Sequence, residues 1–371
     1  MQRSTASTAI ALMALVLTSA AALPAAGNGG DDPPAVEVVA SGLDSPRKLS
    51  FAPNGDLYVA ESGAPSDAPG ACFEHPQFGE VCVHHTGAVT KISKKGAQTR
   101  VVEGLPSAVS AQEANGPFDV LVKGNTLTIA MGMGGSLEHR NQLGADGSLL
   151  GTIVDARLKG KDVQPSVRAD LLAFEAANDP DGQGIDSNPV DLLSVGKEMI
   201  AVDAGGNDVL LLGGGDDGVR GAIAVLDPVM VSPAPFPGAP DPFPAQPVPT
   251  VATVGPDGLL YIGQLTGFPF QSGAASIFRY GPDGLEVYAT GLTNVTDMAF
   301  AGDTLYAVQI SDEGIQSGLT GSLVEVDPGG DHTTVVGDLF APYGLAIRGD
   351  DAYVTTGSVA PGGQVIRVSL R

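Results

Sequence analysis

The chain has 371 residues, with 42 acidic against 19 basic side chains and a formal charge of −23. A field of that sign repels phosphate backbones and anionic lipid heads, which argues against nucleic acid and direct membrane binding and favours cations. The 51 glycines and 28 prolines supply turns, and no segment keeps a 3.6-residue apolar period, so the composition points to strands and loops.

Residues 1–26 read as a secretory signal peptide. Arg3 gives a positive n-region, Ala9 to Leu17 an apolar run, and small residues follow, with cleavage expected after Ala22 or between Ala26 and Asn28. The apolar run is about half of the roughly 20 residues a membrane span needs. The expected location is therefore extracellular or periplasmic, with no membrane insertion after cleavage. Residues 27–35 form a flexible lead-in and 36–371 a single domain.

That domain repeats one hairpin six times: SPRKLSFAPNGDLYVAESG (45–63), NGPFDVLVKGNTLTIAMG (115–132), SNPVDLLSVGKEMIAVDAG (187–205), VPTVATVGPDGLLYIGQLTG (248–267), LTNVTDMAFAGDTLYAVQI (292–310) and APYGLAIRGDDAYVTTG (341–357). A hairpin cannot bury its own apolar face, so repeated hairpins must pack on one another. Further strands follow each, such as GAVTKIS (87–93) and QTRVVEGLP (98–106) after the first. The last unit has only GQVIRVSL (363–370), and its missing outer strand stands at the other end: VEVVASGL (36–43) matches TRVVEGL, LEVYATGL and TTVVGDL. The expected fold is all-β, a six-bladed β-propeller closed by pairing of the N-terminal strand with the last blade, which removes a free sheet edge. SAVSAQEA (107–114) is the one piece outside the leader that reads as helical.

The hairpin turns on one face are minimal, whereas the long connections 64–86, 133–148, 229–248 and 267–274 leave from the other. Loops carrying function concentrate on such a face. Segment 228–249 has nine prolines in 22 residues, which predicts polyproline II or irregular chain and no ladder strand, pinned by Phe236 and Phe243.

Cys72 and Cys82 are the only cysteines. In an exported chain they predict a disulfide. A zinc site with His75, His84 and His85 is the rival reading, although the spacing fits no common zinc signature. Aligning the hairpins brings Glu61, Asp203, Gln264 and Gln309 to the ends of second strands, and Asp119, Asp191 and Asp297 into first strands, with Asn188 and Asn294 three residues ahead of Asp191 and Asp297. Such oxygens converging on a channel mouth suit a polar ligand or a divalent cation, Ca²⁺ above all. Asp and Asn at strand starts also commonly bond turn backbones. In NDPDGQGID (178–186), Asp179, Asp181 and Gly184 fall at positions 1, 3 and 6 of a calcium loop, but position 12 is Val190 and no flanking helices are expected. GGGDDG (213–218) reads as a turn. No G-x-S-x-G and no Ser/His/Asp set stands out.

The pieces VDAGGNDVLLL (202–212), YIGQLTGFPF (261–270), TGLTNVTDMAF (290–300) and the CFE…VCVHHTGAVTKI insertion (72–92) resemble the ScyD/ScyE family. These are secreted propeller proteins, two of them named for the biosynthetic cluster of the pigment scytonemin. At the fold level the chain is also similar to NHL-repeat and gluconolactonase-type propellers. The latter likeness implies a divalent metal held by a Glu, an Asn and Asp residues at the channel mouth. Asn188, Asn294, Asp119 and Asp191 are comparable, but Ser45-Pro46-Arg47-Lys48 stands where the Glu would be. The expected function is non-catalytic binding of a small molecule, glycan or protein across the loop-rich face. The alternative is a metal-dependent lactonase-like hydrolase or another enzyme of secondary metabolism.

Overall fold

The computed structural model describes residues 34–159, 163–213 and 218–371. The expected leader, most of the expected lead-in and residues 214–217 of the GGGDDG run lie outside these residues. The chain is all-β, and among the described residues it forms seven antiparallel sheets, six of them with four or more strands. All six hairpins of the sequence form, with first strands Pro46–Phe51, Pro117–Lys123, Pro189–Val195, Pro249–Val254, Val295–Ala301 and Leu345–Arg348. Each begins its own sheet, and in four of the six the strands follow in simple sequence order; in the first, the strand Cys72–His75 stands off the path and pairs only with Gly79–Ile92. The sixth takes its outer strand from the start of the chain. Val36–Asp44 runs antiparallel to Pro361–Ser369, with Val36 opposite Val368 and Leu43 opposite Gly363.

Packing follows from the alternation of side chains along strands, which gives each sheet two apolar faces. Ile129 and Leu127 of the second sheet meet Tyr58 and Val89 of the first. Leu192 and Leu210 of the third meet Ile153 of the second, and Ile262 of the fourth meets Val202 and Val209 of the third. Met298 and Leu305 of the fifth pack on Ile277 of the fourth, and Val354 and Ile366 of the sixth on Val308 and Leu323 of the fifth. Leu43 and Val365 of the sixth close on Leu49 and Val59 of the first. Each buried aliphatic side chain of this kind contributes about 1.5–3 kcal/mol.

Neighbouring sheets are also stitched by side chains at their first strands, in the sixth sheet also from its second strand. Leu192 N donates to Asp119 Oδ2 (2.8 Å), Ala252 N to Asp191 Oδ2 (2.8 Å) and Leu345 N to Asp297 Oδ2 (2.7 Å). Thr250 Oγ1 donates to Val295 O (2.8 Å) and Thr355 Oγ1 to Arg47 O (2.7 Å). Gly344 sits where the sixth sheet meets the first, and a Cβ there would stand 2.6 Å from Arg47 O and 2.7 Å from Lys48 Cα. Only glycine allows that approach.

Three expectations are corrected. SAVSAQEA is not helical: Ser107–Val109 end the long strand Gln98–Val109 and pair with Cys82–His84, so tertiary pairing overrides the helix propensity of alanine. Two helices form elsewhere, Leu137–Leu143 and Leu171–Asn178. The second ends at Asp179, so the calcium-like loop does have a helix on its N-terminal side. The proline-rich segment does carry ladder strands, Val229–Val231 paired with Phe243–Ala245. Two three-residue strands pairing only with each other tolerate a proline that a central strand would not. Among the described residues no helix is long and apolar enough to cross a membrane.

Candidate functional site

The nine residues expected at a channel mouth separate into several groups. Asp119, Asp191 and Asp297 occupy one register of their first strands and surround a buried lysine. Lys48 Nζ, on a residue 2% exposed, donates to Asp191 Oδ1 (2.5 Å), Thr250 O (2.8 Å) and Asp297 Oδ1 (3.2 Å). Burial alone would lower the Lys48 pKa, but the Asp191, Asp297 and Asp119 carboxylates outweigh it and hold the ammonium charged. Burial and the neighbouring Asp191 carboxylate push Asp119 well above the usual carboxylate range; burial does the same to Asp297, against the pull of Lys48. Next to this group the Arg47 guanidinium lies between the rings of Phe118 (4.6 Å) and Tyr343 (4.8 Å) and donates to Ala114 O (3.0 Å). All of these side chains are buried.

The other six residues lie apart from Lys48. Glu61 takes Arg100 (2.7 Å), Thr90 Oγ1 and Asp44 N. Asn188 Oδ1 accepts from Met133 N (3.0 Å). Asn294 links Leu265 O to Ile315 N. Gln309 accepts from Thr293 N and donates to Asp312 and Ser322. Gln264 is buried with its Oε1 unpartnered. Asp203 accepts from Ser187 Oγ, Asn188 N, Gly205 N and Gly206 N.

The loop-rich face carries a cavity of about 660 Å³ between the third and fourth sheets. Loops 183–186, 204–207 and 265–270 and the short hairpin at 243–246 line it. Phe243 and Phe268 give an aromatic wall (ring centroids 6.1 Å), extended by Phe236 (6.2 Å from Phe243). Gln183, Asn207 and Gln246 give polar groups, and Asp186 an exposed carboxyl. Both Phe236 and Phe268 keep exposed area, 51% and 38%. The rings of this wall are scattered along the sequence, which is why the cavity does not stand out in it.

Cys72 and Cys82 form a disulfide, so their sulfurs are not available to zinc. The hairpin they close packs Phe73 on His139 (4.6 Å, stacked).

No protein-family model matches the chain, and no curated protein matches it. Among solved structures, it is similar to a putative oxidoreductase (glucose dehydrogenase) from Thermus thermophilus, with a TM-score of 0.53 at 15% identity over 90% of this chain and 99% of that one. A PQQ-bound aldose sugar dehydrogenase from Streptomyces coelicolor gives 0.50 at 13% identity, over 92% and 100% of the two chains. A putative gluconolactonase gives 0.50 at 12%, over 91% and 93%. The fold is that of a β-propeller. At such identities the likeness concerns architecture alone. Around Lys48, where first strands of several sheets converge, the chain is packed with charged and aromatic side chains, and the cavity lies between the third and fourth sheets.

Proposed function

We propose that the protein is a secreted, single-domain, six-bladed β-propeller of the ScyD/ScyE kind that binds a small, partly aromatic molecule in the off-axis cavity without transforming it. Six sheets that each pack on the next, with the Val36–Asp44 strand completing the last, support the closed six-bladed reading. The leader-like residues 1–26 and the disulfide support export to an oxidising compartment. The cavity volume of about 660 Å³ favours a small molecule over a glycan chain or protein partner.

One observation carries the non-catalytic part. At the register where a lactonase-type propeller would gather oxygens around a metal, the Lys48 ammonium already holds Asp191 and Asp297. A divalent ion there would have to displace a buried cation. The second reading, a metal-assisted hydrolase, is favoured by the carboxyl group in the cavity lining, Asp186.

Equilibrium titration with an uncharged aromatic probe such as Nile red should show saturable binding that Phe268→Ala and Phe243→Ala each weaken several-fold. Binding that is unchanged in both variants sinks the cavity assignment. Incubation with glucono-δ-lactone and Ca²⁺, Mn²⁺ or Zn²⁺ should give no ring opening above the buffer rate; metal-dependent turnover would move the reading to the hydrolase.

A further inference from the structure

We propose that Glu175, Asp179 and Asp181 form a calcium site beside the third sheet, completed by the nearby buried Asp208 carboxylate and separate from the Lys48 group. Helix Leu171–Asn178 supplies Glu175 from its second half. Its C-cap Asp179 adopts φ 40°, a left-handed turn, and this brings Asp179 and Asp181 back toward Glu175. Carboxylate oxygens of these three lie within 4.8 Å of one another. A Ca²⁺ ion about 2.3–2.6 Å from each ligand spans oxygens up to about 5 Å apart, whereas Mg²⁺ at about 2.0–2.1 Å demands a tighter octahedron.

The second observation is the set of acceptors left without a donor. Asp208 begins the strand Asp208–Leu212 and is 1% exposed, yet neither of its carboxylate oxygens has a partner. Glu175 is 2% exposed and its Oε1 has none. Buried polar atoms are rarely left so. The charges acting on them are all of one sign. Burial, then Asp203, Asp181, Asp179 and Asp186, push Glu175 up to about 8. Burial, then Asp203, Glu175 and Asp181, push Asp208 up to about 9. Asp203 is the most heavily used carboxylate, with four donors on its two oxygens; Asp181 accepts from Gln183 N and Asn207 Nδ2 and Asp179 from Gly184 N, and each of these oxygens keeps a second lone pair for an ion. Gly206 belongs to the same design: a Cβ there would stand 3.1 Å from Glu175 Oε2. Only hard oxygen donors are present, the ligand set of calcium.

The test uses the metal alone and does not depend on the cavity ligand. The purified chain is stripped with EDTA and titrated with CaCl₂ by calorimetry, with MgCl₂ at equal ionic strength as the screening control. One Ca²⁺ should bind per chain and raise the thermal midpoint more than Mg²⁺ does. Asp181→Asn should weaken binding at least about tenfold. Asp208→Asn should remove most of the Ca²⁺ response while raising the metal-free midpoint, because a buried anion is gone. If Asp208→Asn does not fold, Asp181→Asn decides alone. The exposed Asp283→Asn should leave the response unchanged. Absence of stoichiometric binding, an undiminished response in Asp181→Asn, or an equal loss in Asp283→Asn overturns the site.

Discussion

Lys48 is one ammonium bridging the first, third, fourth and fifth sheets, through Asp191, Thr250 O and Asp297. Removing one member of a buried ion pair strands the others in a poorly solvating interior, at about 3–5 kcal/mol. Lys48→Met should therefore lower the denaturation midpoint by that order, and adding Asp191→Asn should recover part of the loss. Additive losses in the double variant would show that Lys48 acts by packing alone. Register explains how much of this was legible in the sequence. Asp119, Asp191 and Asp297 align because they occupy one position of the first strands of the second, third and fifth sheets, and they do meet. Lys48 occupies that position in the first sheet, but an alignment of repeats does not say which charges reach one another across an axis. Glu61, Gln264 and Gln309 share a different register, and Glu61 and Gln309 find partners among nearby strands and loops instead, as Glu61 does with Arg100.

The helix Leu171–Asn178 escaped the sequence reading because LLAFEAAN is short and apolar around most of its circumference, so it leaves no periodic signature. Its start is nonetheless well specified. Asp170 Oδ1 accepts from Ala173 N (2.9 Å), and Arg140 of the preceding helix grips both Asp170 oxygens (2.8 Å each). Asp170→Ala should cost about 1–2 kcal/mol through the lost cap, read as a shift in urea midpoint. Asp170→Asn, which keeps a capping oxygen, should lose clearly less; equal losses would mean the cap contributes nothing. The calcium-like run shows a related limit. Its spacing at Asp179 and Asp181 is visible in sequence, but Glu175 and Asp208 join it only through the helix before it and the strand after it.

At the scale of the whole molecule, the most informative part of the sequence is the likeness between Val36–Leu43 and the outer strands of other units, because a repeat that is one strand short names its missing piece. The pairing of Val36–Asp44 with Pro361–Ser369 bears that out. Deleting residues 34–44 should leave the Pro361–Ser369 edge open and give oligomers or aggregates on size exclusion, with a lowered thermal midpoint. A monomer that melts as the parent does would refute the contribution of this strand to closure. The same pairing constrains biosynthesis. The strand Val36–Asp44 is translated before all six hairpins and its partner Pro361–Ser369 after them, so the sixth sheet cannot be finished until that later strand has been made.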